Sequence, residues 1–146
     1  MLNGFGAPEE IEKVRKSVAD LKVKVAYSGA DMSKPAEIKQ LVQQAEKELG
    51  VVDILVNNAG IQFTSPVENF PDEKWEQILA INLSSNFYLA KAVLPGMQKK
   101  RWGRIINIAS SHGLVASTHK SAYVAAKHGV VGFTKVLALE NADKGI

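Results

Sequence analysis

Tyr123 and Lys127 stand four positions apart, so on a helix they share one face. A phenol is a poor acid or base near neutrality, because its ordinary pKa is about 10. A cation within a few ångströms favours the phenolate and draws that value down. The pair can therefore be a device for moving a proton, although such a pair taken alone is more often an ordinary surface pair. Ser110 strengthens the first reading: it follows an apolar run, where a strand-end hydroxyl can point toward the same cleft. Asn57-Asn58-Ala59-Gly60 follows a second apolar run. There the small residues let a flat ligand approach the backbone, and the two amides can tie neighbouring strands together.

These residues need elements to hold them. Ile11, Val14, Val18 and Leu21 step by three and four, which predicts an amphipathic helix over residues 8–21, with Pro8, Glu9 and Glu10 in its first turn. Val23–Tyr27 alternates as a strand. Pro35 and Glu37 announce a helix with Ile38, Leu41, Val42, Ala45 and Leu49 on its apolar face, and Gly50 is placed to end it. Val51–Asn57 reads as a buried strand, and residues 71–100 as one long helix that Pro95 is placed to kink or end. Arg104–Ala109 is a further strand, and residues 121–142 form the last helix. Short apolar strands alternating with helices longer than ten residues specify an α/β fold with a parallel sheet covered on both faces. Ligands bind beyond the carboxyl ends of such strands, which singles out residues 28–31, 57–62 and 110–112.

Composition fits this reading without deciding it. The 146 residues are 46% hydrophobic and 23% charged, as in an ordinary single domain. A domain of this size can bury about 70% of its unfolded surface. With no cysteine, disulfides and thiol chemistry are excluded. No run approaches the roughly 18 apolar residues of a membrane span, and no signal pattern opens the chain, so the cytosol is the expected address. The net charge of +3 is scattered, apart from Lys99, Lys100, Arg101 and Arg104. That cluster reads as a solvated helix end rather than a nucleic-acid surface.

Taken in order and spacing, Asn57-Asn58-Ala59-Gly60, Asn82, Ser110 and the Tyr123–Lys127 pair resemble the short-chain dehydrogenase/reductase family. The stretches 2–6, 60–62 and above all 103–135 are most similar to bacterial members acting on D-3-hydroxybutyrate, and the likeness runs through essentially the whole chain. The resemblance implies part of a Rossmann-like, doubly wound parallel sheet. It also implies NAD-dependent interconversion of D-3-hydroxybutyrate and acetoacetate. By that likeness Asn82, Ser110, Tyr123 and Lys127 form a catalytic tetrad. Tyr123 moves the proton, Lys127 assists it and holds the nicotinamide ribose, Ser110 bonds the reacting oxygen, and Asn82 supports a water-linked relay. Asp31 matches an adenine contact, and Asn58, Ala59 and Gly60 line the cofactor cleft. Phe5 stands where NAD and NADP are distinguished, and with no basic residue between Leu2 and Ala7 to meet a 2′-phosphate, NAD is favoured. Gln62, His112 and Lys120 match a substrate-carboxylate site. A homo-oligomer, dimer or tetramer, is implied through the helices at 72–100 and 121–142.

Other signals lead nowhere. Gly4-Phe5-Gly6 lacks the third glycine and a preceding strand, so it is not a phosphate loop. The three histidines lack metal-ligand spacing, and the G-x-S-x-G elbow of a hydrolase is absent. Trp75, Phe87 and Phe133 are expected in the core or at a subunit contact. The family's Gly-rich turn has no match, nor has its C-terminal lid. The expectation is therefore the central part of one domain, inactive alone. The alternatives are a non-catalytic fragment acting in assembly, or a reductase for a different oxo-compound.

Overall fold

The computed structural model describes all 146 residues. Its elements are β1 (Leu2–Asn3), α1 (Pro8–Ala19), β2 (Tyr27–Ser28), α2 (Pro35–Leu49), β3 (Ile54–Asn57), α3 (Asp72–Leu79), α4 (Ser85–Lys100), β4 (Arg104–Asn107) and α5 (Ser121–Asn141). A π turn, Ala80–Ser84, joins α3 to α4, and 3-10 turns occupy Val67–Asn69, Ser111–Gly113 and Ala142–Lys144. Both strand pairs are parallel: β1 with β2, Leu2 opposite Tyr27, and β3 with β4, Ile54 opposite Arg104. The α/β class and the parallel sense agree with the sequence pattern. The sheet, however, comes as two separate pairs.

One helical layer carries both pairs. Met32, Ile38, Leu41, Val42, Leu89, Val93 and Met97, largely from α2 and α4, form the main core. Met1, Ala30, Leu55 and Ile105 pack against it from the two strand pairs. Side chains alternate along a strand, so the residues between these point the other way. Ile54, Val56, Ile106 and Ile108 do so, and all four are more than 40% exposed. The expectation of a sheet covered on both faces is thus corrected for β3–β4, which has one bare face. Helix α1 likewise buries no residue: Val14 of its apolar stripe is exposed, and so is Leu21, which lies beyond its end.

The gap between the pairs is one strand edge facing another. Arg104 N–H donates to Asp53 O and Ile108 N–H to Asn57 O, so odd-numbered residues of β3 turn their backbone toward β4. Ile54 and Val56 therefore turn theirs away. Leu2 N–H donates to Ala26 O, so Met1 and Asn3 turn away from β2 in the same sense. All four of these outward-turned residues line one cavity of about 690 Å³. The surface area records the same opening. A compact monomer of 15.8 kDa exposes about 7,300 Å², whereas this chain exposes 9008 Å² and buries 22 of its residues. Burial typical of a domain this long, expected from length alone, is not reached.

Boundaries moved for identifiable reasons. The strand expected at 23–27 shrinks to Tyr27–Ser28, because no β1 residue stands opposite Val23–Val25. A short strand does precede Gly4, contrary to the sequence reading. The long helix at 71–100 is broken by the π turn rather than at Pro95, which sits inside α4. The basic cluster closes the end of α4. There Arg101 takes a left-handed cap (φ 55°), Lys100 pairs with Asp53, and Arg104 lies over the Trp102 ring. Phe87 and Trp75 are on the surface at 45% and 38% exposure, and Phe87 meets Phe133 edge to face.

Candidate active site

The sequence-selected residues fall into two clusters at the carboxyl ends of the strands. The first lines the polar end of the cavity and unites Phe5, Asp31, Asn58, Ala59 and Gly60, with Asn3 and Gly4 beside them. The cavity's size is within the range of small-molecule sites. Its charged side chains are Asp31, beyond β2, and Asp53, which precedes β3 and pairs with Lys100. The loop after β1 is braced from β2: Tyr27 O–H donates to Gly4 O (2.7 Å), and Asn3 Nδ2 donates to Ser28 O and Ala30 O. Sequence reading passed over Asn3 and Tyr27, because their partners lie across the strand ladder, more than twenty residues away.

Asp31 is built into the entry to α2. Its carboxylate accepts from Ser33 N–H (2.8 Å) and Ser33 O–H (2.7 Å), with the Lys34 ammonium at 3.7 Å. The bond from the Ser33 amide, then that from its hydroxyl, lowers the Asp31 pKa. Glu37 accepts the Asp31 N–H (2.8 Å) and pairs with Lys34, and this backbone bond, followed by Lys34, lowers its pKa too. Asp31 thus offers a fixed, ionised acceptor at the cavity rim.

The second cluster surrounds the start of α5. Ser110, extended at the end of the β4 segment, caps the 3-10 turn by accepting from His112 N–H (3.2 Å). The His112 ring meets the Tyr123 ring edge to face at 5.9 Å. Lys127, one helical turn beyond Tyr123, is 5% exposed; its ammonium lies 5.7 Å from the Tyr123 ring centre and donates to Ile108 O at 2.6 Å. A buried ammonium needs such a partner. Gly113 lets the turn sit on α5: a Cβ there would stand 2.8 Å from Val131 Cγ2 and 2.9 Å from Lys127 O.

Two amide systems connect the clusters. Asn82, 1% exposed within the π turn, accepts from Ile61 N–H and donates to Ile61 O, both at 2.9 Å. It therefore fixes the loop carrying Asn58–Gln62, and both ends of its amide are committed to that loop. Asn57 donates to Asn107 Oδ1, and Asn107 donates to Thr134 Oγ1, each at 2.8 Å, which ties β3 to β4 and to α5. Asn57 Oδ1 is buried without a partner. Gln62 and Lys120 make no side-chain hydrogen bond, but their loops are joined by Ser65 N–H donating to His119 O (2.9 Å). A hydroxyl, a phenol and a buried cation gathered around the start of one helix are the groups a proton transfer at a substrate oxygen requires.

The family model described as short chain dehydrogenase matches residues 6–146. The chain is 56% identical over its whole length to a D-beta-hydroxybutyrate dehydrogenase of Cupriavidus necator, covering 56% of that protein. It is 55% identical to the protein of the same name from Rhizobium meliloti, covering 57% of it. It is also 46% identical over 116 residues to the Escherichia coli 3-oxoacyl-[acyl-carrier-protein] reductase FabG. The chain thus spans about half the length of these relatives. No helix is long and apolar enough to cross a membrane. On its residues, its geometry and this match, the chain belongs to the short-chain dehydrogenase family of oxidoreductases.

Proposed function

We propose that residues 1–146 are the central part of one dinucleotide-binding domain that interconverts D-3-hydroxybutyrate and acetoacetate with NAD. The observation that carries this reading is that both clusters lie beyond the carboxyl ends of the parallel strands and are linked through the Asn57–Asn107 and Asn82–Ile61 bonds. The relatives' names at 55–56% identity point to the substrate.

Tyr123, as the phenolate that the neighbouring Lys127 ammonium favours, takes the proton from the substrate hydroxyl and becomes the neutral phenol. Ser110 bonds the same oxygen and orients it. NAD, when bound, supplies a nicotinamide carbon that accepts the substrate's hydride. Asp31 accepts from the adenine amino group at one end of the cavity, and Phe5, Asn58, Ala59 and Gly60 supply flat or small walls there. The Asp31 carboxylate at the rim, with no basic residue between Leu2 and Ala7, suits NAD and disfavours a 2′-phosphate. Lys120, with Gln62 and His112, holds the substrate carboxylate. Exposed Phe87, Val136 and Leu139 on α4 and α5 support a homo-oligomer. The two facing strand edges support a requirement for a further strand before the domain turns over.

Two measurements test this. Calorimetric titration of the 146-residue chain with NAD is expected to give little or no binding; micromolar affinity would overturn the incomplete-domain reading. In a chimera with these residues replacing the matching part of the Cupriavidus necator relative, D-3-hydroxybutyrate should drive NADH formation. Tyr123→Phe should reduce it by about 10²–10⁴-fold; unchanged turnover would remove Tyr123 from the mechanism. The second reading, a reductase for a different oxo-compound, is favoured by the 46% identity to the acyl-carrier-protein reductase. It wins if the chimera reduces a 3-oxoacyl thioester in preference to acetoacetate.

A further inference from the structure

The loops that carry Phe5 and Asp31 leave β1 and β2 side by side, and backbone bonding between the two strands stops where the loops begin. Leu2 N–H donates to Ala26 O, so the next rung of a parallel ladder would run from Gly4 N–H to Ser28 O. That rung is not made. Ser28 O accepts from Asn3 Nδ2 instead, at 3.0 Å, and the same amide donates its second proton to Ala30 O at 2.9 Å. From the other side Tyr27 O–H donates to Gly4 O at 2.7 Å. A carbonyl oxygen only accepts, so all three bonds have one possible sense. No backbone bond joins residues 4–7 to residues 29–31, and these side chains alone hydrogen-bond the one loop to the other.

What each anchored residue precedes gives the brace its consequence. Gly4 precedes Phe5, Ala30 precedes Asp31, and Phe5 and Asp31 both line the cavity. Within the Asp31 carboxylate, Oδ1 is taken by the two Ser33 bonds, whereas Oδ2 has only the Lys34 ammonium at 3.7 Å. One oxygen is left to accept from a ligand, and the brace sets where it stands relative to the Phe5 ring.

We infer that Asn3 and Tyr27 are positioning residues for the adenine end of the cofactor: their three bonds fix Phe5 and Asp31 relative to each other before anything binds. A loop already held in its binding conformation has less ordering left to do when the ligand arrives. This rests on Asp31 accepting from the adenine amino group in the proposed reading, and the test separates the two. The chimera, without substrate, is titrated calorimetrically with NAD and with nicotinamide hypoxanthine dinucleotide, in which a carbonyl replaces that amino group. The parent should bind NAD about tenfold more tightly, the worth of a hydrogen bond to a charged group, and Asp31→Ala should abolish the preference. Asn3→Ala, which removes two of the three bonds, should cut the preference about fivefold, and Tyr27→Phe, which removes one oxygen and keeps the ring, about twofold. A merely structural loss would weaken both dinucleotides alike and leave the ratio where it was. Thermal melts verify that each variant is folded, and Tyr27→Phe decides if Asn3→Ala is not. An unchanged ratio in either folded variant, with the parent's preference present, would overturn the inference and leave the Asp31 contact standing. A parent without the preference would remove the Asp31 contact, and the inference with it.

Discussion

Asn82 gives the most quantitative test of how the site is held. Its side chain makes two hydrogen bonds of 2.9 Å to one residue, the N–H and the C=O of Ile61. Asn82→Ala removes both, each worth about 1 kcal/mol net, and leaves two backbone groups at a part-buried position to find water or go unpaired. The expected destabilisation is about 2–4 kcal/mol, a large fraction of the roughly 5–15 kcal/mol of a typical domain. Urea titration should show it as a lower midpoint with an unchanged slope. Asn82→Asp adds a pH signature. A carboxylate still accepts from Ile61 N–H but opposes Ile61 C=O, whereas the protonated acid can serve both. Burial and that carbonyl raise the pKa of the new carboxyl in the folded state above its unfolded value. The contribution of the protonated form is then fully present below the unfolded pKa, about 3.9, and lost as pH rises through the folded pKa. Asn82→Asp should therefore recover stability relative to the parent on acidification. A loss below about 0.5 kcal/mol in Asn82→Ala, or a pH-independent difference for Asn82→Asp, would refute the claim that this amide secures the Asn58–Gln62 loop.

Further outcomes follow from particular contacts. Gly113→Ala should destabilise by about 1–3 kcal/mol, because its methyl would meet the backbone of Lys127, which has no rotamer to yield. Gly132→Ala has open space around it on exposed α5 and should stabilise by about 0.5–1 kcal/mol; paired thermal melts check the two signs. Asp31 and Glu37 both have lowered pKa values in the fold, so their contribution is present above the unfolded pKa values and is lost as pH falls through the folded ones. Urea midpoints against pH should show this acid-side decline, and Asp31→Asn should flatten it. In the chimera, Lys120→Ala should weaken apparent substrate affinity more than it slows the chemistry. An unchanged KM would remove the carboxylate clamp.

Much of this was legible in the residues. Helices α1, α2 and α5 lie within a few residues of their apolar periodicities, because Pro8, Pro35 and Gly50 mark ends that local geometry must respect. The four-residue spacing of Tyr123 and Lys127 on one helix face, and the place of Ser110 after a strand, were likewise local matters. Phe5, Asp31 and Asn58–Gly60, scattered through the first sixty residues, were linked by resemblance, and the structure lines one cavity with all of them.

Other features depend on partners distant in sequence. Val23–Val25 has the composition of a strand but forms none, because strand pairing needs a neighbour and β1 offers no residue opposite them. The π turn at Ala80–Ser84 leaves no trace in hydrophobic periodicity, yet it seats the amide that reaches Ile61, twenty-one residues away. Asn57 joins Asn107 across fifty residues, and Ser117 meets His112 only because a 3-10 turn folds the intervening loop back. The sequence by itself determined which residues can do the chemistry and which local elements carry them. Tertiary structure decided the two facing strand edges, the second bonds that orient Asn82, Lys127 and His112, and the apolar face left bare. A hydrogen bond or a buried surface belongs to two segments at once, and no local pattern contains both.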